Sequence, residues 1–513
     1  MVPKILAMYL PQFHQIPEND EWWGEGFTEW NTVKGAKPLF EGHDQPVVPL
    51  CGYYDLMQPD TLTWQISLLN EYNIYGLCIY HYWFKNGRQI LEKPAEKLLE
   101  RKDLDTHYCF CWANESWVRT WSNINDCNVW AAKYETNSGD DNSGILLEQQ
   151  YGTPDEWKKH FDYLVNFFKD DRYIKVEKKP VFVIYRPQLI FCLQDMMDLW
   201  NELAVSEGFS GIFFVLANCN SKLREIADLE LVHEPQNAFH MENIKKNTDL
   251  PVEGIFEYEE VVKKSLEHIA ENNKISYGGF IGYDDTPRRG HKGNLISGCT
   301  KGKFRNYFEM LVEKNNAYRS PFIFFNAWNE WGEGMHLEPD EKDRYDYLEI
   351  IRDTVEKYAD MDIEKAHDNW DKLSNVLVRN GDSGNNSKSV PDKFEVYFNL
   401  LHKWLLKKEM NRSFADYLLS FNYHRIAIYG AGVLCKHLIT ELMDSDVEVT
   451  CVIDRADNVS VNGNIPVIKA SEISYEVDAI VVTVTYQFDE VCKELNKYNN
   501  AKVISLEQVI MEC

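Results

Sequence analysis

The chain has 513 residues, with 81 acidic against 54 basic side chains and a formal net charge of -27. That balance disfavours nucleic acid or an anionic membrane as the main partner, because phosphate binding needs clustered Lys and Arg. A hydrophobic content of 44% and a charged content of 26% fit a soluble globular protein with room for two or three folding units.

The opening MVPKILAMYLPQFHQIPEND has a short apolar stretch broken by Pro11 and Gln12 and no small-residue cleavage site, so it does not read as a signal peptide. No window approaches the roughly 18 apolar residues of a membrane span. The 12 Cys include no C-x-x-C pair and are read as reduced thiols of a cytosolic protein. Cys109 and Cys111 share one strand-like run and are expected to face opposite sides.

Eight short apolar runs follow in order: Ile5–Leu10, Gly76–Tyr80, Tyr108–Trp112, Val181–Tyr185, Ile212–Leu216, Leu229–His233, Phe280–Tyr283 and Phe322–Phe325. They are continuous rather than alternating, as strands buried on both faces of a parallel sheet are. Helical patterns lie between several of them, at Pro59–Tyr72, Asp155–Phe168, Leu193–Ser206, Tyr258–Asn272 and Lys303–Asn315. The expectation is a (β/α)8 barrel over residues 1–358. Residues 359–423 read as a linker, centred on GDSGNNSKS, and a connecting amphipathic helix at Phe394–Leu419. Residues 424–513 read as a small Rossmann-like α/β domain, with strands at Arg425–Tyr429, Val447–Ile453, Ala479–Val484 and Lys502–Leu506.

Polar and aromatic side chains gather just past the strand ends: Gln12, His14, His81, Trp83, Trp112, Asn114, Glu115, Arg186, Asn218, Glu234, Asp284, Asp285, Arg288, Asn329, Glu330 and Glu333. In this fold that end carries the active site. The segment AWNEWGEGMHLEPD, residues 327–340, follows the last strand and holds Glu330 and Glu333 three residues apart, with Gly332 and Gly334 freeing the backbone to turn. On a tight turn the two carboxylates can converge, which is what glycosidic chemistry needs: one protonates the leaving oxygen, the other serves the sugar side.

Other clusters leave alternatives open. Gln12, His14, Trp22, Trp23, Glu29 and Trp30 form either a sugar-binding lid or packing anchors of a loop. The 15 Trp suit sugar rings but are also ordinary core residues. His14 and His81 lack the local spacing of metal ligands toward Asp284 or Glu234, and no metal is expected. Arg288 and Arg289 suit either an anionic ligand or structural ion pairs. In the C-terminal unit, Gly430-Ala-Gly432 follows a strand and opens a helix, and Asp454 ends the next strand where a ribose-binding acid sits in a dinucleotide fold. Cys435 replaces the third glycine, so the motif is incomplete and implies no redox chemistry; a nucleotide or nucleotide-sugar site and a domain used for assembly or regulation both fit it.

The segment FNAWNEWGEGMHLEP resembles the N-E-W-x-E-G signature of glycoside hydrolase family 99, the endo-α-mannosidases. Three further blocks are similar to the WbsX-type proteins, a family 99-like group of bacterial surface-polysaccharide clusters: YLPQFHQIPENDEWWGEGFTEWNTV (residues 9–33), CWANESWVRTW (111–121) and YDDTPRR (283–289). The opening motif departs from that of the true mannosidases, so their substrate-pocket residues do not carry over. The resemblance implies Glu330 as the group assisting attack by the sugar 2-hydroxyl and Glu333 as general acid, then base, with overall retention. Glu333 is then expected to need a raised pKa, through burial beside Trp328 or Trp331. Gln12, His14, Trp30, His81, Trp83, Trp112, Asn114, Glu115, Asp284, Arg288, Asn329 and Trp331 are the candidate substrate contacts.

The function expected is a glycosyltransferase or transglycosylase of surface-polysaccharide (lipopolysaccharide O-antigen or capsule) biosynthesis. The alternatives are an endo-acting, α-mannosidase-like hydrolase and a non-catalytic glycan or nucleotide-sugar binder. No cofactor is expected for the barrel chemistry. The partners expected are a glycan or nucleotide-sugar substrate and proteins of polysaccharide assembly.

Overall fold

In the computed structural model, residues 2–118, 145–241, 250–267, 273–359 and, with short gaps, 413–512 are described, together with positions 244, 404 and 408. The chain divides into two compact units, Met1–Asp382 and Ser383–Cys513. Most of the expected linker and connecting helix, and the last three residues of the 111–121 block, lie outside the described residues.

The first unit is built on β1 (Lys4–Tyr9), β2 (Gly76–Trp83), β3 (His107–Trp112), β4 (Lys179–Ile184), β5 (Phe213–Ala217), β6 (Leu229–Val232), β7 (Ile275–Tyr277), β8 (Gly279–Phe280) and β9 (Phe322–Asn326). Every pairing among them is parallel, in the order β7-β6-β5-β4-β3-β2-β1-β9-β8. β7 and β8 are two halves of one strand broken at Gly278, so the sheet closes on itself as the eight-stranded ring of a (β/α)8 barrel. A Cβ on Gly278 would lie 2.7 Å from the Val232 carbonyl oxygen, and one on Gly279 would lie 2.7 Å from Leu311 Cδ2 and 2.8 Å from Phe325 Cδ2. The last gap in the ring is therefore narrow enough to require glycine.

This corrects the seventh strand. It was expected at Phe280–Tyr283, the more apolar stretch, but Ile275–Phe280 pairs instead. Ser276 within it is satisfied by donating to the Phe322 carbonyl at 2.9 Å, so a polar residue sits in a fully buried strand without penalty. Cys109 and Cys111 also need correcting. Both lie against Cys78, because a two-residue spacing in a strand returns to the same face.

Among the described residues a helix follows each strand of the ring, including Pro59–Glu71, Pro154–Phe168 and Lys301–Ala317. The Pro154–Phe168 helix shows why. Thr153 and Glu156 form a capping box, Pro154 takes the first turn, and Trp157, His160, Phe161, Leu164, Val165 and Phe168 make one buried stripe.

The second unit is a parallel sheet of β10 (Arg425–Tyr429), β11 (Glu448–Ile453), β12 (Val467–Ile468), β13 (Ala479–Val482) and β14 (Lys502–Ser505), in the order β12-β11-β10-β13-β14. That is a doubly wound order. Along β10, Ile426 and Ile428 join one apolar cluster while Ala427 and Tyr429 join the other, so both faces are covered. No helix among the described residues is long and apolar enough to cross a membrane.

Gly279→Ala should destabilise the barrel by about 1–3 kcal/mol through overpacking. Gly302→Ala, which meets no atom within 4 Å in its helix, should be neutral or stabilising by up to about 1 kcal/mol. Denaturant midpoints of the two variants measure the difference, and equal midpoints would refute a sterically closed seam.

Candidate active site

Beyond β9 the chain makes a tight return. Asn329–Glu330 pairs antiparallel with Met335–His336 across a single 3-10 turn at Trp331–Glu333, and Gly334 takes a left-handed φ of 62°. The turn brings Glu330 and Glu333 to one guanidinium. Arg288 donates through Nη2 to Glu330 Oε2 at 3.0 Å, through Nη1 to Glu333 Oε1, and through Nε to Glu29 Oε1 at 2.7 Å. A Cβ on Gly332 would overlap the Glu29 carboxylate and lie 2.8 Å from Arg288 Nε, so glycine there admits the ion pair.

The two carboxyls differ in depth: the Glu330 side chain is 9% exposed and that of Glu333 is 23%. Burial raises the Glu330 pKa well above the carboxylate range; Arg288 opposes this, and Glu333 and Glu29 add to it. Burial also opposes the charge on Arg288, and Glu29, Glu333 and Glu330 together outweigh it.

A second tie fixes the same turn. The Asp284 backbone N–H donates to the Glu333 carbonyl at 2.7 Å. The Asp284 carboxylate accepts from His43 Nε2 at 2.9 Å, Gln45 Nε2 at 2.7 Å and the Thr286 hydroxyl at 2.6 Å. Asp285 accepts from the Asn294 N–H and the Tyr283 hydroxyl, pairs with Arg289, and is pushed up to about 6, first by burial.

Most of the other expected contacts are framework. Asn329 accepts the Leu10 N–H at 2.7 Å and donates to the Leu10 carbonyl at 3.0 Å, pinning the turn to the end of β1. Asn114 does the same to Arg186, accepting its N–H and donating to its carbonyl, both at 2.8 Å. Trp30 is buried among Phe13, Tyr53, Tyr54 and Trp331 and donates to the Tyr54 carbonyl. His81 Nε2 lies 2.8 Å from His160 Nε2, and burial pushes its pKa down to about 3. Trp83 stacks on His160 at 4.3 Å, and Trp112 Nε1 donates to the Trp83 carbonyl. His14 is buried, and burial lowers its pKa. Gln12 is half-exposed and its carbonyl accepts the Glu29 N–H. Glu115 pairs with Arg186 at 3.0 Å, both partly exposed.

Three features were not singled out from the sequence. Tyr80, Tyr185 and Tyr283 are partly exposed phenols around the pair, close enough that Glu333 raises the pKa of each, after burial. Beneath Trp331, buried Glu338 accepts from Tyr54 at 2.6 Å, Gln65 at 2.5 Å and Trp331 Nε1 at 2.8 Å. His43 and Gln45 hold Asp284. Glu338 lay within the segment already marked by the paired carboxylates, which was its available signal.

In the C-terminal unit Gly430 has φ 96°, and a Cβ there would lie 2.8 Å from Thr483 Oγ1, so the turn is tight against its own sheet. Asp454 Oδ2 accepts the Ala431 N–H at 2.7 Å and closes the turn. Gly432 has nothing within 4 Å of its Cβ position. Among the described residues no group of three or more His, Cys, Asp or Glu is arranged to hold a metal ion.

Residues 5–351 match the family model described as Glycosyltransferase WbsX. The chain belongs to that family. Residues 422–504 match a second model, C2185-like, N-terminal. Two proteins of Xanthomonas campestris pv. campestris strains, each called uncharacterized protein WxcX, are 30% identical over 373 residues, covering 70% of this chain and 50% of theirs. The chain thus spans about half the length of the curated relatives it matches. Among solved structures, the GH99 endo-α-mannosidase from Bacteroides thetaiotaomicron is 17% identical with a TM-score of 0.42, over 71% of this chain and 98% of that one. One titled glycoside hydrolase-like protein is 11% identical with a TM-score of 0.43, over 69% and 94%. WbsX membership, with a paired-carboxylate site at the C-terminal end of a (β/α)8 barrel, supports a carbohydrate-active enzyme.

The Glu338 pKa is pushed up to about 7 by burial, against its three donors. A carboxyl whose folded pKa is raised binds more protons in the native state, so its contribution to stability falls as pH rises from about 4.5 to 7. Buried His233, pushed down to about 4, acts in the opposite sense below the imidazole range, so the comparison must be with a variant. Relative to Glu338→Gln, the wild-type barrel should lose about 3 kcal/mol of stability between pH 5 and 8. Urea unfolding across that range checks it; a pH-independent difference would remove Glu338 as a titrating group.

Proposed function

We propose that the barrel is a retaining enzyme of bacterial surface-polysaccharide biosynthesis, transferring a glycosyl group through Glu330 and Glu333 as a glycosyltransferase or transglycosylase. The observation that carries this reading is the sharing of one guanidinium by Glu330 and Glu333 at the active-site end of the barrel. Glu330 takes the proton of the donor 2-hydroxyl as that oxygen attacks the anomeric carbon. Glu333 protonates the departing oxygen, leaving a 1,2-anhydro sugar. The acceptor hydroxyl, deprotonated by Glu333, then opens that ring at the anomeric carbon while Glu330 returns its proton to O2. Two inversions give retention. Burial suits Glu330 to its part: a base whose proton affinity is raised toward the working pH is the stronger base once ionised, and Arg288 favours its ionised form.

An endo-acting hydrolase of an α-mannoside-like bond is the second reading, favoured by the N-E-W-x-E-G turn itself. It differs only in the acceptor, with water in place of a sugar. In the C-terminal unit, a nucleotide or nucleotide-sugar beside Gly430 and Gly432 is supported by the open space at Gly432 and by the helix that begins after it.

Purified protein incubated with α-mannoside oligosaccharides and nucleotide sugars, with products followed by mass spectrometry, separates these readings. A sugar moved onto an acceptor marks the transferase and free fragments mark the hydrolase. Glu333→Gln should lower either rate by about 10²–10⁴-fold. Equal products from both proteins would sink the assignment, and binding without turnover in the wild type would favour a binding protein. The pH profile assigns the roles: kcat/KM should rise with pH as Glu330 loses its proton, from a limb well above the ordinary carboxylate range. A fall over the same range would make Glu330 the acid.

A further inference from the structure

The sequence leaves Arg288 between two roles, a receptor for an anionic substrate and a structural ion pair. In the structure Arg288 is the centre of an ion-paired cluster. Its three nitrogens each meet a different carboxylate, and these come from two separate parts of the chain: Glu29 after β1, and Glu330 and Glu333 on the turn after β9. The arginine itself stands on the short helix Thr286–Arg289, within the loop that follows β8. That loop is bound to the turn a second time through the Asp284 N–H and the Glu333 carbonyl. Gly332 is shaped around the contact, since any side chain there would displace Glu29. Glu29 is buried, and its helix Glu29–Gly35 is capped by Thr28 and Asn31 in a capping box, so it is a fixed brace.

We propose that Arg288, braced by Glu29, is a positioning residue of the site: its planar fork sets the mutual placement of the Glu330 and Glu333 carboxyls and holds them together without direct repulsion. This rests on the reading of Glu330 and Glu333 as the reacting pair. A lysine cannot replace it, because an ammonium is a point charge without a fork that fixes two acceptors in one plane. Glu29 has a graded effect. Its negative charge offsets part of the guanidinium's charge, so it tunes how strongly Arg288 acts on the other two carboxylates.

The test uses ¹³C-glutamate-labelled full-length chain, with the Glu330 carboxyl assigned by loss of its signal in Glu330→Gln. Arg288→Met should move the Glu330 titration to higher pH by about 1–3 units. Glu29→Gln should move it the opposite way, and Arg288→Lys should fall between wild type and Arg288→Met. Thermal unfolding confirms that each variant is folded, and Glu29→Gln and Arg288→Lys carry the test if Arg288→Met is not. A Glu330 titration unmoved in every folded variant would overturn the inference. So would saturable binding of inorganic phosphate to the wild type that Arg288→Lys or Arg288→Met abolishes, since the guanidinium would then serve an anion. Failure of the functional reading is separate: Glu330→Gln and Glu333→Gln would keep full turnover while the titration shifts remained.

Discussion

Three carboxylates in a small, partly buried space cannot all stay ionised without a cation among them. Two like charges about 4 Å apart repel by about 4 kcal/mol at an effective dielectric of 20, and the repulsion is larger where water is excluded. Arg288 removes that obstacle for Glu29, Glu330 and Glu333 together. The rest of the site is organised around delivering these four groups to one point. Gly332 clears the space, the Thr28 capping box orients Glu29, and Asn329 ties the carboxylate turn to β1.

Barrel closure makes that meeting possible. The loop bearing Arg288 leaves β8 and the carboxylate turn leaves β9, and these strands are neighbours only because the seventh strand switches partners at Gly278. With side chains in place of Gly278 and Gly279, β8 could not approach β9, and the backbone tie from Asp284 to Glu333 would lose its register. A backbone requirement on the far side of the strand is thus a condition for the electrostatics at its end. In the C-terminal unit the same economy of space appears at Gly430, which packs against Thr483, whose hydroxyl donates to the Tyr429 and Gly430 carbonyls.

The parts of this fold that announce themselves in sequence are those with dense apolar character. Runs such as FIFF and VFVIY became β9 and β4, and the helix at Leu193–Ser206 appears where periodicity placed it. The seventh strand was misplaced because its first half, ISY, carries a polar residue and its centre is a glycine pair; the features that close the ring make the run look like a turn. β12 was missed because two residues give no periodicity. At the site, polar residues past strand ends were legible as a class, but their division into framework and cleft was not. Asn114 and Asn329 clamp backbone groups from other loops, and Arg288 meets Glu29 across 259 positions of sequence. Those partnerships exist only in three dimensions.

Glu338 and Glu330 show how two buried glutamates eight residues apart come to differ. Both are pushed up by burial. Glu338 is surrounded by donors, with Tyr54, Gln65 and Trp331 filling its two oxygens, and such a carboxyl holds a wall in place. Glu330 meets Arg288 through Oε2, and its other oxygen has no hydrogen-bond donor among the described residues. A carboxyl with raised proton affinity and an acceptor atom left open is equipped to take a proton from a ligand; one saturated by protein donors is not. In the proposed reaction, the part of Glu330 therefore follows from which hydrogen bonds the fold leaves unmade as much as from which charges it brings together.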